Sequence, residues 1–209
     1  MTGPFADGVP VDASNLAVRA ADLAGVPVAI ALHKGIPHGG GLGGGSADAA
    51  AVLVALDRPD LAAELGSDVA FCVHAQLAPR AGAAWMRGRG EIVEPTDVAA
   101  LDLVIAVPPF GCSTPAVYRA WDTLGGPHGR TVAVDGLPPL RNDLEPAAEH
   151  VEPRLVAFRE AIEDATGLPA LLAGSGSSYA VVAADVDDVC ARVRRAVDAP
   201  VFAARYPAS

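Results

Sequence analysis

"IPHGGGLGGGSADAA", Ile36–Ala50, puts six glycines into the seven positions Gly39–Gly45 and runs straight into an alanine-rich stretch. Glycine loses more conformational freedom on folding than any other residue, so such a run weakens a fold unless bare backbone is needed there. Ahead of it, "VPVAIALH" alternates, with Val26, Val28, Ile30 and Leu32 on one face, and predicts a strand. Behind it, Ser46 is expected as the N-cap of a helix through Leu56, with Asp48 in the first turn. A strand, a glycine loop and a helix start together predict a phosphate-binding turn. The helix N-terminus offers unpaired N–H groups and a positive dipole end to an anion, and glycines let the anion approach the backbone. A flexible linker is the alternative, but a linker has no reason to sit tightly between an alternating strand and an apolar helix.

Two other glycine-loop frames fit less well. Gly39, Gly41 and Gly44 satisfy the dinucleotide pattern G-x-G-x-x-G, which so many glycines match almost automatically. The acidic residue wanted about twenty positions on would be Asp60, and no strand precedes it. Gly39, Gly44 and Ser46 fit the frame G-x-x-x-x-G-K-[ST], but Gly45 stands where the lysine must be.

The rest of the chain bounds the answer. A length of 209 residues means one moderately large domain or two small ones. The formal charge of −10 argues against nucleic acid or an anionic membrane as partner, while leaving room for an anion held by backbone N–H groups. The longest apolar stretches, such as Ala49–Leu56, are too short to span a bilayer. The start "MTGPFADGVPVD" has neither a basic nor an apolar signal region, so a cytoplasmic protein is expected. Cys72, Cys112 and Cys190 are widely spaced, with no C-x-x-C and no H-E-x-x-H, so neither a disulfide framework nor a zinc site is expected. Lys34 is the only lysine; every other basic residue is arginine or histidine.

Patterning predicts a helix over Ser14–Leu23, a short helix over Asp60–Leu65 before "GSDVAFCV", and a turn into a strand in "GRGEIVEP". "LDLVIAVPP" reads as a buried strand, Thr114–Leu124 as a helix and Gly125–Leu140 as a loop. A helix over Pro153–Thr166 follows, then strand "ALLAG", loop "GSGSS", strand "YAVVAA", a helix over Val186–Val197 and strand "VFAARY". Strands separated by helices this short suggest an α+β sandwich with helices on one face of an antiparallel sheet.

Pro37, Gly41, Leu42, Gly43, Ser46 and Ala47 align with the loop P-x-x-x-G-L-G-S-S-[AS] of the GHMP superfamily of small-molecule kinases, which includes galactokinase, homoserine kinase and mevalonate kinase. "GPFADGVPVDASNLAVRAADL", "KGIPHGGGLGGGSADAAAVLVAL", "LGSDVAF", "GRGE", "NDLEPAA" and "AGSGSSYAVV" then occur in the order found in one branch of it. Over nearly its whole length the chain resembles the 4-diphosphocytidyl-2-C-methyl-D-erythritol kinase family. The resemblance implies a GHMP-kinase-like α+β fold, with residues 1–98 as an incomplete N-terminal, ATP-binding domain and 99–209 as a ferredoxin-like C-terminal sandwich. It implies ATP and Mg2+ as cofactors. It also implies a cytidine diphosphate-linked methylerythritol as the small-molecule substrate, phosphorylated on its 2-hydroxyl in the non-mevalonate route to isoprenoids.

On the same resemblance Asp68 is the catalytic carboxylate, orienting the hydroxyl and taking its proton. ATP would lie on Pro37, His38, Gly39, Gly40, Gly41, Leu42, Gly43, Gly44, Gly45, Ser46 and Ala47, with Asn15 beside the adenine and Ser46 also facing the metal. Gly174, Ser175, Gly176 and Ser177 would close over the substrate phosphates, and Tyr118 would stack on the cytosine. Plainer roles stand beside these. Asp68 is also ordinary turn chemistry, Ser46 a simple helix cap, "GSGSS" a tight β-turn, and Tyr118 a core residue at helical spacing from Trp121. Asn142 and Asp143 are expected to hold the fold around the site.

The sequence also departs from the family. The family's P-A-K-[IL]-N and G-Y-H motifs, which belong to an earlier segment, do not occur in it, and Lys34 matches a different position. Ala70 replaces a proline, Ser177 and Ser178 replace a Pro-Thr pair, the connection from Leu56 to Gly66 is short, and "HAQLAPRAGAAWM" stands in for a compact turn. The chain as it stands is therefore expected to bind Mg-ATP weakly and to turn over very slowly or not at all. Two readings stay open: a working or partly working kinase, or else a catalytically weak nucleotide-binding remnant or a module that pairs with another chain. An incomplete sheet would leave an edge open to self-association.

Overall fold

The computed structural model describes residues 1–78, 83–96, 100–134 and 137–206. Its contacts divide into two units, Met1–His38 with Gly43–Val98, and Gly39–Leu42 with Ala99–Ser209. The boundary expected between residues 98 and 99 lies outside the described residues, as does part of "HAQLAPRAGAAWM".

The described residues of the first unit form α1 (Leu16–Ala24), α2 (Gly44–Ala55), α3 (Ala62–Leu65) and α4 (Ser67–Leu77), with a 3₁₀ turn at Pro59–Leu61. Strands β1 (Ala83–Arg87) and β2 (Ile92–Thr96) form an antiparallel hairpin. Asn15 caps α1 by accepting the Ala17 N–H, and Gly25, at φ 69°, ends it. Ala20, Ala49 and Ala50 are fully buried with Leu53, so α1 and α2 meet through methyl groups and approach closely.

Two expectations fail here. Among the described residues the alternating segment from Val26 to Leu32 joins no ladder, and Val26 and Val28 stay 39% and 43% exposed. Alternation assigns faces, yet a strand also needs a partner for its N–H and C=O groups. Among the described residues its one β-bridge is isolated and parallel, Thr2 with His33 at its far end, through Thr2 N–H to Leu32 O (2.9 Å) and Lys34 N–H to Thr2 O (2.8 Å).

The start of α2 also differs from expectation. Gly43, at φ 68°, is the N-cap, Ser46 lies inside the first turn, and Asp48 lies beyond it and pairs with Lys34. Gly43's left-handed backbone turns the chain into the helix, and Ile36 packs against Gly44 so closely that a Cβ there would lie 2.9 Å from Ile36 Cδ1. Backbone hand and crowding thus outweigh the capping preference of serine.

The second unit is an α+β sandwich, as expected. Strands β3 (Leu101–Ala106), β6 (Leu171–Leu172), β7 (Tyr179–Val182) and β8 (Val201–Tyr206) form a sheet in the order β6-β7-β3-β8, antiparallel throughout. Helices α5 (Thr114–Thr123), α6 (Glu145–Val151), α7 (Arg154–Thr166) and α8 (Val186–Ala196) supply the other layer. Val104, Ala106, Tyr179 and Val181 alternate onto the buried face and meet Val117, Leu155, Ile162 and Val193. The expected loop Gly125–Leu140 contains a short ladder instead, β4 (Thr131–Val132) against β5 (Leu140–Arg141). Helix α6, which no pattern announced, is tied down by Arg130, whose guanidinium forks onto buried Glu145 at 3.0 and 3.1 Å and also reaches Glu163 at 2.9 Å.

Candidate active site

The glycine run owes its composition to two separate causes. Gly39, Gly41 and Gly43 have φ of 74°, 76° and 68°, so every second residue is left-handed, a hand that side chains other than glycine resist. Such alternation can turn successive N–H groups to one side, the backbone geometry of an anion nest. The second cause is close approach. Gly40 is buried and its carbonyl accepts the Ser178 N–H at 3.0 Å, while a Cβ on Gly41 would fall onto the Ala173 carbonyl oxygen. Helix α2 then begins, its first backbone bond running from Ala47 N–H to Gly43 O at 2.9 Å. The N–H groups of Gly44, Gly45 and Ser46 precede that bond and have no acceptor within the helix.

Residues 173–178 form the turn against which Gly40 and Gly41 pack. Gly176 N–H donates to Ala173 O and Ala173 N–H to Ser178 O, both at 2.9 Å, and the Gly176–Ser177 peptide is cis. Ser175 Oγ lies 2.8 Å from Thr114 Oγ1 at the start of α5. Asn142 Nδ2 donates to the carbonyls of Leu172 (2.8 Å) and Gly174 (2.7 Å), and its Oδ1 accepts the Leu144 N–H (3.0 Å). One amide thus joins the "NDLE" segment to the near end of the turn. Asp143 accepts the Gly129 N–H at 3.0 Å, which with nearby His128 and Arg141 holds its carboxyl below the ordinary range. Asn142→Ala leaves the buried Leu172 carbonyl without this donor. The expected cost is about 1–3 kcal/mol, read in urea melts, together with weaker nucleotide binding; unchanged melts would show the link to be idle.

Asp68 is exposed in the first turn of α4 and, among the described residues, no hydrogen bond or ion pair holds its carboxylate. The helix is capped by Gly66 without any side-chain bond, so Asp68 is not a capping residue here. Its charge is nonetheless felt one turn on, where burial and then the Asp68 carboxylate push the Cys72 thiol up. The "GRGE" turn sits against this helix start: a Cβ on Gly90 would lie 2.5 Å from Ser67 Cα, beside Asp68.

The remaining candidates divide. Asn15 is buried and engaged at both ends of its amide, its Nδ2 donating to Pro10 O (2.8 Å) while its Oδ1 caps α1. His38 is exposed and lies near Gly8. Tyr118 is 54% exposed on α5, whereas Trp121 packs against the core and donates to Pro127 O at 3.1 Å, so the two aromatics do not share a core role. Sequence reasoning passed over Lys34, which is buried and bonded to Asp48. Its being the sole lysine, just ahead of the glycine run, was the signal in the sequence.

Residues 13–76 match the model of the GHMP kinases N terminal domain. The chain is 37% identical over 206 residues to a 4-diphosphocytidyl-2-C-methyl-D-erythritol kinase of Paracoccus denitrificans, covering 93% of this chain and 73% of that one. It is 38% identical over 252 residues to the enzyme of the same name from Salinispora tropica, covering 98% and 78%. A crystal structure of 4-(cytidine 5'-diphospho)-2C-methyl-D-erythritol kinase superposes with a TM-score of 0.70 at 33% identity, over 94% of this chain and 79% of that one. A homoserine kinase from Cytophaga hutchinsonii, at 18% identity and a TM-score of 0.59 over 98% and 79%, shares the fold alone.

Proposed function

The chain belongs to the 4-diphosphocytidyl-2-C-methyl-D-erythritol kinase family, and on that premise we propose how its residues divide the work. It is a small-molecule kinase that uses ATP to phosphorylate 4-diphosphocytidyl-2-C-methyl-D-erythritol in isoprenoid biosynthesis. The acceptor is the 2-hydroxyl, and the reaction takes place in the cytoplasm; no helix among the described residues is long and apolar enough to cross a membrane.

The observation that carries the assignment is the alternating left-handed run of Gly39, Gly41 and Gly43 feeding a helix start without a side-chain cap. The ATP phosphates rest on Gly39–Gly45 and on the first amides of α2, with Pro37 and His38 leading in and Ala47 behind. Among the described residues no cluster of three or more His, Cys, Asp or Glu side chains could hold a metal ion. That suits Mg2+, which is carried largely by substrate phosphates and water and takes only hard oxygens from the protein. Ser46, in the first turn of α2, would supply one such oxygen, and the ion would neutralise charge on the transferring group. Asp68, exposed and unpaired among the described residues, orients the 2-hydroxyl and accepts its proton as it attacks. Gly174, Ser175, Gly176 and Ser177 close over the substrate phosphates, Tyr118 stacks on the cytosine, and Asn15 holds the Pro10 segment beside the adenine. Copies of the chain would associate through an exposed sheet edge.

ADP release from the purified chain tests this, with Mg-ATP and, in separate arms, 4-diphosphocytidyl-2-C-methyl-D-erythritol, homoserine or mevalonate as acceptor. Release above background is expected with the first alone and is expected to stop on chelation of Mg2+. Equal release with all acceptors would overturn the substrate assignment.

A further inference from the structure

Lys34 is 4% exposed and stands at the start of α2, where a Cβ on Gly44 would lie 3.6 Å from its Nζ. That is the positive end of the helix dipole, an unfavourable place for a buried cation unless an anion holds it there. Asp48 Oδ2 does so at 2.5 Å. An ammonium group has three donors, and among the described residues this is the one hydrogen bond that Nζ makes. The main chain of Lys34 is anchored independently, its N–H donating to Thr2 O (2.8 Å) and its carbonyl accepting the Phe5 N–H (3.3 Å). A side chain that the segment does not need for anchorage therefore brings a full positive charge, with donors to spare, to the helix end on which the phosphates are placed.

We propose that Lys34 is a further residue of the ATP site: a buried cation beside the first turn of α2 whose field adds to that of the helix amides in holding the nucleotide phosphates. Asp48 is its counter-charge when no nucleotide is bound. Lys34 acts through this field and is a positioning residue, since it need not touch the ligand. The inference rests on the assignment of the glycine run to the phosphates.

A plain fastener between residue 34 and α2 makes different predictions. A fastener fails equally when either partner is removed, and fails for every ligand alike. A field effect scales with ligand charge and changes sign between the two partners.

Calorimetric titration of the full chain with ATP, ADP and adenosine separates them. Lys34→Met is expected to weaken ATP binding about tenfold, ADP less, and adenosine not at all, with Lys34→Arg restoring most of the loss. Asp48→Asn is expected to tighten ATP binding severalfold, because it removes a negative charge from the same place. Should Lys34→Met fail to fold, the sign of the Asp48→Asn effect decides alone. Equal losses for adenosine and ATP, an unchanged ATP affinity in Lys34→Met, or weaker ATP binding in Asp48→Asn would each overturn the proposal. Gly41→Ala serves as the reference. If it too leaves ATP binding intact, the glycine-run assignment falls and takes this inference with it; if it abolishes binding while Lys34→Met does nothing, only the role of Lys34 falls.

Discussion

Asp68→Asn is expected to lower kcat by about 10²–10⁴-fold, the usual contribution of a positioned general base, while ATP affinity and stability stay close to native. The amide keeps the shape of the carboxylate and can still accept a hydrogen bond from the acceptor hydroxyl, but it cannot take the proton. The structure makes this a clean experiment. The carboxylate is exposed, caps nothing and pairs with nothing among the described residues, so its replacement strands no partner. The one structural loss is a favourable charge near the N-terminus of α4, about 0.3–1 kcal/mol at an exposed site. ADP release gives kcat, nucleotide titration gives the ATP affinity, and urea melts give the stability. Parallel losses in all three would make Asp68 a structural residue of α4 and move the base elsewhere.

The elements that were legible in the sequence are those whose pattern follows from a single buried face. "LDLVIA", "YAVV" and "VFAARY" announce strands as short apolar runs, because each pairs within a sheet covered on one side by helices, and β3, β7 and β8 appear where those runs lie. The segment at 26–32 carries a clearer alternation and, among the described residues, forms no ladder, because a partner strand is not a local property. The N-cap of α2 was misplaced by three residues for a related reason. Serine is the better cap by local preference, but Gly43's hand and the contact of Ile36 with Gly44 are tertiary facts. At the site, the glycine run was legible because few other needs explain so many costly residues together. The Asn142 link to Leu172 and Gly174 spans 30 and 32 positions, and the Lys34–Asp48 pair spans 14; neither leaves a local trace.

Gly41→Ala is expected to weaken ATP binding by about a hundredfold or more, equivalent to about 3 kcal/mol, where Gly25→Ala does not weaken it at all. The two glycines share a left-handed backbone, φ 76° and 69°. Either substitution therefore brings the same intrinsic strain, about 1–2 kcal/mol. Their surroundings differ. A Cβ on Gly25 meets nothing within 4 Å, whereas on Gly41 it falls onto the Ala173 carbonyl oxygen and lies 2.9 Å from that of Gly176. Those oxygens cannot step aside cheaply. Ala173 O is bonded to Gly176 N–H at 2.9 Å, and the adjoining Gly174 carbonyl is held by Asn142 at 2.7 Å. The glycine run must move instead, giving up the bond from Ser178 N–H to Gly40 O and the alternation of hand that aligns its own N–H groups. Both variants should lose a similar margin in urea melts from strain, with a further loss for Gly41→Ala, but only Gly41→Ala should lose the nucleotide. An ATP dissociation constant in Gly41→Ala within about threefold of native, or less than 0.7 kcal/mol, would mean that the phosphates do not rest on this run.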